Sequence, residues 1–482
     1  MDSLKKIIGW LDNVADGNDM SIRQKITITL WGMSIVLLPF CHFPYGPFER
    51  LALYPLIIIA FLNIDKWWNL CWHNKYLRWI GLALWGYVLW QIVTLPFTMN
   101  ISEISFSCNI FSIIRYAMSY GAFYVFLASF FLFPRKIADK IFFWCLTCVL
   151  LYCSAYSGIE LLHFSGVQWA TDFLAKSIHY IMEVQKTGWY PPLFWNSERV
   201  RSVFAEPSHY AMLLVFCIIY YASQIWLKKK CKIVVVSIAM TLLGIGQLCL
   251  TKGMGGAFNI TIATVFFGIL FSIFFRKFTR EQKIKGVILI LSFMICSFFT
   301  IKYQRGGVVE YRKIAGISKN NIQKPENSNQ KTVLSGSTNT RTLCLKMDIE
   351  TILSKPLFGI GAGNYPKYMS EAHSKQKFVT HELLWWISLE KIPKLIPIAA
   401  IAVESGILGA LLFLMFLSGG LFISSAEVFV QKDMQRIPSL VCAFILLFSQ
   451  LIFLHIPFLN LIACSVFMAY ANDEEHIQND EQ

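Results

Sequence analysis

The chain has 482 residues, of which 56% are hydrophobic and 15% charged, with a mean hydropathy of +0.53; that balance excludes an ordinary soluble domain, in which about 25% of residues are charged. The formal net charge of +14 does not point to nucleic acid, because the basic residues flank apolar runs instead of forming a soluble basic patch. Thirteen cysteines exclude a disulfide framework as well: Cys145, Cys148, Cys153, Cys217, Cys249 and Cys464 lie inside apolar runs, where thiols act as small hydrophobes, and no CxxC pair has zinc spacing.

Residues 1–25 are polar and carry Lys5, Lys6, Arg23 and Lys25, and the apolar run after them is too long for a signal h-region, so no cleavable signal is expected. Leu4, Ile7, Ile8 and Leu11 recur at helical spacing beside Trp10, which predicts a short helix on the inner membrane surface. Long apolar runs follow near 26–45, 50–64, 78–97, 109–133, 141–163, 207–227, 233–251, 254–275, 286–303, 396–424, 437–454 and 457–471. They lack the alternation of barrel strands, so helices are expected, the other structure that satisfies its backbone in lipid. The expected fold is all-α: a polytopic integral membrane protein of about twelve transmembrane helices, one membrane domain over residues 1–482.

Basic clusters set the orientation. Lys66, Lys75 and Arg78, then Arg135, Lys136 and Lys140, then Lys228, Lys229, Lys230 and Lys232, then Arg276, Lys277, Arg280, Lys283 and Lys285 fall on one side if there are twelve crossings. That side is the cytoplasm, and both termini lie there. Two longer loops, 166–206 and 304–395, then face outward. Within the second, Ser318–Thr340 is polar and reads as a flexible insert, while Leu343, Met347, Ile349, Leu353, Leu357, Tyr365 and Trp385 predict short amphipathic helices against the membrane surface.

Five signals carry candidate chemistry. The first is Arg199-Val-Arg201-Ser-Val-Phe-Ala-Glu206-Pro207. Pro207 fits the first turn of a helix whose free N–H groups favour an anion. Arg199 and Arg201, two apart, share a face of an extended segment, so both guanidiniums reach one phosphate-like group. The plainer reading is two loop arginines at lipid headgroups. The second is Arg341, followed by an amphipathic run and Gly359-Ile-Gly361-Ala-Gly363. These glycines read as tight turns, since a nucleotide loop has no ATP outside the cytoplasm. The third is Thr380-His381-Glu382-Leu-Leu-Trp385-Trp386, in which His381 is a candidate proton acceptor. Trp385 occupies the last position of what would be HExxH, so the zinc-protease reading is removed. The fourth is Lys252-Gly253-Met-Gly255-Gly256, a short outer turn. The fifth is Arg115, an arginine inside an apolar run about two turns below the outer surface, where an ionisable group is a functional candidate.

The order of these motifs resembles the O-antigen polymerase and ligase superfamily, and within it the Wzy-type polysaccharide polymerases. An outer loop ends in RxxFxEPS; a turn of the S/K-x-x-G-G kind follows; TRxxxxxxDI…PLFGIGAGNY and THELL come next; and Glu404-Ser-Gly406-Ile-Leu-Gly409 enters the next span. The resemblance covers about Arg199 to Leu411 in motif order. It implies a GT-C-like, inverting, metal-independent glycosyltransferase of the bacterial inner membrane that needs no cofactor. Donor and acceptor would be sugar chains on polyprenyl pyrophosphate, with a chain-length regulator and a flippase as further partners. It matches Arg201 and Arg341 to the donor pyrophosphate and His381 to the acceptor hydroxyl, and the EPS at Glu206 favours polymerases over ligases. Lys252 departs from the pattern, standing where serine is common. From the residues themselves, His381 suits a base near neutral pH, whereas Glu206, beside Arg199, Arg201 and a helix N-terminus, suits holding the arginine loop.

Two alternatives remain at this level. A ligase would join finished chains to lipid A-core or protein. A lipid-oligosaccharide flippase would share the span count, but the chain shows no paired half-repeats and its long outer loop is unexplained by transport.

Overall fold

The computed structural model describes residues 20–41, 50–98, 106–133, 135–181, 199–204, 206–228, 231–303, 332–334, 337–376, 378–388, 394, 396–430 and 437–452. The helix expected within residues 1–25 falls mostly outside them. Among the described residues, eight helices are long and apolar enough to cross a membrane. They are α4 (Lys75–Thr98), α5 (Phe106–Ser129), α6 (Arg135–Phe164), α8 (Pro207–Leu227), α9 (Cys231–Thr251), α10 (Met254–Phe274), α11 (Arg280–Tyr303) and α15 (Pro397–Phe429). The chain is therefore a multi-pass, helical membrane protein.

The other expected spans come out shorter. The run at 26–45 contributes α1 (Ile22–Val36), which ends in a turn over Leu37–Pro39. Pro39 lacks an N–H and cannot continue the helix. The run at 50–64 yields α2 (Leu53–Leu62), 10 residues long, before the chain bends at Asn63 into α3 (Ile64–His73). Of the run at 437–454, the described residues show α16 (Ile437–Ile452). The last expected run, 457–471, lies outside the described residues.

Successive crossings reverse direction, so Thr98, Phe164, Pro207, Thr251, Met254, Tyr303 and Pro397 fall at one end of the bundle. The basic clusters around Arg78, Lys140, Lys228 and Arg280 fall at the other. α8 is the most deeply buried of the eight. It packs tightly because Gly256 of α10 has no side chain: a Cβ there would stand 2.7 Å from that of Ala211. At the periphery, Ile288, Leu291, Ile295 and Phe298 line one exposed stripe of α11, the face such a helix turns to lipid.

The first of the two long loops is not all coil. Gln168–Ile181 forms α7, which buries Ala170, Leu174 and Ile178. The second loop has its own core. It contains β1 (Thr332–Leu334), α12 (Ser337–Ser354), α13 (Tyr365–Ser374), β2 (Phe378–Thr380) and α14 (His381–Ser388). β1 and β2 pair in parallel, Thr332 opposite Phe378. The tail of the stretch read as a flexible insert is thus ordered, as strand β1 and the start of α12. Leu343, Cys344, Met347, Ile360, Tyr365, Met369, Leu383 and Trp386 bury one another against Ala400 and Val403 of α15. Leu343, Met347 and Tyr365 face inward as the amphipathic pattern requires, whereas Ile349, Leu353 and Leu357 stay exposed at 47%, 75% and 68%.

Candidate functional site

Three polar groups sit at the loop-bearing end. The first is built on the segment Arg199–Glu206, between α7 and α8. Its backbone is pinned from two sides. Val200 donates to the Leu250 carbonyl at 3.2 Å. On the other side, the amides of Arg201 and Ser202 both donate to Glu160 Oε2 of α6, at 3.1 and 2.8 Å. Ser202 has φ +57°, a left-handed conformation unusual for a residue with a side chain, and its hydroxyl donates to the Cys153 carbonyl at 2.9 Å. Glu160 is fully buried, and the Arg201 Nε stands 4.0 Å from its Oε1. Burial pulls the Arg201 guanidinium down to about 10, against the pull of Glu160, so it remains cationic at neutral pH.

Arg199 and Arg201 do not present matching guanidiniums. Arg201 is 1% exposed and turned to Glu160, while the half-buried Arg199 donates from Nε to the Thr251 carbonyl at 3.1 Å. That bond ties the arginine segment to the turn bearing Lys252, itself at φ +46° and half-buried. Glu206 stands at the N-cap position of α8 in an extended conformation, and its side chain accepts from the Ser208 hydroxyl at 2.5 Å, not from the helix amides. The anchor of the arginine backbone is Glu160, a residue the sequence reading passed over. It is the acid inside the run 141–163, and the rule that singled out Arg115 applies to it equally.

The second group joins Arg341 to the helix that begins with His381. The Thr340 hydroxyl donates to Thr380 Oγ1 at 3.0 Å, and Thr380 Oγ1 accepts the Leu383 amide at 3.2 Å, which makes Thr380 the N-cap of α14. His381 and Glu382 are therefore the first two residues of a capped helix, next to the turn of α12 that carries Arg341. The Arg341 Nε is buried without a hydrogen-bond partner among the described residues. A buried, unsatisfied donor on a cation is costly unless a ligand anion takes it.

The third group was not expected from sequence. α15 is broken at Gly406, whose φ of 70° and ψ of −179° are non-helical. The turn 356–361 fills the break. Ile360 donates to the Val403 carbonyl at 2.9 Å, Gly361 to that of Glu404 at 2.9 Å, and Ile407 to that of Pro356 at 2.8 Å. Irregular backbone inside a span is tolerated when protein covers it in this way. The left-handed φ values of Gly359 and Gly361, 66° and 90°, make that close approach possible. The glycine run is a plug of tight turns.

Glu404, fully buried above the break, takes the Lys394 ammonium at 2.6 Å, the Tyr116 hydroxyl at 2.9 Å and the Gly363 amide at 3.2 Å. Lys394 lies 4.6 Å from the Tyr116 ring centre and 6.0 Å from that of Tyr365. Asp348 is fully buried in α12. Burial pushes its carboxyl up to about 8, against Tyr365 and Lys394, so it carries a proton at neutral pH. Arg115 precedes Tyr116 on α5 but is exposed on the outside of the helix. Comparison with known protein families and with curated proteins returns no match for this chain.

Proposed function

We propose that this chain is a Wzy-type polymerase that transfers a lipid-linked glycan from polyprenyl pyrophosphate to a hydroxyl of an acceptor sugar chain, extending a surface polysaccharide in the bacterial inner membrane. The reading includes twelve crossings, cytoplasmic termini and a GT-C-like arrangement. The observation that carries it is Arg341: a cation with an unsatisfied buried donor, held by the Thr340–Thr380 bond beside the helix that opens with His381. Glycosyl transfer from a pyrophosphate needs a fixed cation and a base, the roles assigned here to Arg341 and to His381 at the start of α14.

In the reaction, the acceptor oxygen attacks the anomeric carbon from the face opposite the pyrophosphate. The new glycosidic bond forms as the carbon–phosphate oxygen bond breaks, and inversion follows. Arg341 and the cationic segment around Arg199, Arg201 and Lys252 balance the charge that develops on the leaving group. His381 takes the hydroxyl proton. Glu206 holds the arginine loop.

Purified protein given lipid-linked repeats polymerises them in EDTA at the rate seen with magnesium, because arginines do the work a divalent ion does elsewhere. A strict need for magnesium or manganese contradicts this mechanism. The pH–rate profile separates the two candidate bases. His381→Ala loses most turnover and the acid-side limb near about 6.5, the ordinary histidine pKa. Glu206→Gln keeps that limb and weakens donor binding. The reverse pattern would exchange their roles.

A further inference from the structure

We propose that α3 lies along the membrane interface at the basic end of the bundle and binds anionic phospholipid headgroups there, anchored by Trp68 and Trp72. α3 spans 10 residues, Ile64–His73, and none is buried. It is far too short to cross a bilayer. Its place in the chain fixes its depth. Asn63 turns the backbone out of α2, and Asn74 accepts the Leu77 amide on its side-chain oxygen at 3.2 Å as α4 enters its crossing.

Its rotation is fixed too. Trp67 donates from Nε1 to the Ala60 carbonyl at 2.8 Å, and Cys71 Sγ meets the Tyr124 hydroxyl at 2.6 Å. Trp67, Leu70 and Cys71 pack against the core. The flank beside that face, Ile64, Trp68 and Trp72 at four-residue spacing, is turned outward, 69%, 70% and 47% exposed. The Trp68 and Trp72 rings meet edge to face at 5.4 Å. Indoles with an apolar body and one N–H donor settle at the headgroup boundary.

Charge selects the headgroup. The acid of α3, Asp65, is neutralised by a two-pronged pair with Arg23, one arm at 2.9 Å. Lys66, Lys75 and Arg78 stand in and just after α3, and Lys140, Lys228 and Arg276 lie at the same end of the bundle. A basic helix with an aromatic edge fits an anionic lipid surface.

The test incorporates p-benzoylphenylalanine at Trp68 of the full chain, in vesicles of equimolar phosphatidylcholine and phosphatidylglycerol. After illumination, phosphatidylglycerol adducts are expected to exceed phosphatidylcholine adducts about fivefold. The ratio should fall toward one in K66Q/R78Q, a neutral pair that avoids the folding risk of charge reversal and that is checked by an unchanged elution profile. A label at Leu89, 59% exposed within α4, should show no preference. Equal adducts at Trp68, no lipid adduct there, or the same preference at Leu89 overturns the proposal. None of these outcomes depends on polymerase activity.

Discussion

Gly406→Ala unfolds the junction between the second long loop and the bundle, with an expected cost of at least about 3 kcal/mol. The backbone at this position, φ 70° and ψ −179°, lies in a region essentially reserved for glycine. Space is also missing: an added Cβ would stand 2.0 Å from the Leu357 carbonyl oxygen and 2.4 Å from its carbon, and both belong to backbone that cannot swing away. Relief requires breaking the Ile407–Pro356 bond and its neighbours, which seat the loop in the broken helix. The measurement is thermal unfolding in detergent, with Gly268→Ala as the control, since nothing lies within 4 Å of a Cβ there. A Gly406→Ala protein that melts with the parent would show that the break is not needed.

Arg341→Ala is expected to abolish polymer, a loss of at least about a hundredfold, while leaving the fold intact. Among the described residues no acid pairs with Arg341, whose Nε has no hydrogen-bond partner. Arg341→Lys rescues poorly, because a lysine cannot reproduce the planar fork. Arg201→Ala loses polymer as well, but it also removes the side chain that faces the fully buried Glu160 and so costs stability. The double variant Arg201→Ala with Glu160→Gln keeps an acceptor oxygen for the amides of residues 201 and 202. It should recover expression without recovering polymer. Polymer of normal length from Arg341→Ala, at normal expression, contradicts a role in holding pyrophosphate.

The eight long crossings were legible because runs of about 20 apolar residues have few other uses. The shortened helices were not, because Pro39 and Asn63 act locally inside runs whose average hydropathy still reads as membrane. In the outer loop, the inward face of α12 followed from helical spacing at Leu343 and Met347. The parallel strand pair did not, since three residues are too few to show a period. At the site, Arg199, Arg201, Glu206 and Lys252 were recognisable as neighbours in a motif order, and bonds through Thr251 and Leu250 join their segments. Glu160 was readable by the rule applied to Arg115. The meeting of Lys394, Tyr116 and Gly363 at Glu404 was not, because it joins segments 278 residues apart through a helix break that only the fold reveals.

The most direct test of the central claim uses purified protein in lipid vesicles with one substrate, a polyprenyl-pyrophosphate-linked oligosaccharide repeat. The account predicts a ladder of lipid-linked chains rising by whole repeats, with free polyprenyl pyrophosphate released once per bond formed. Repeats that stay single, or transfer that occurs only when lipid A-core is supplied, would contradict it.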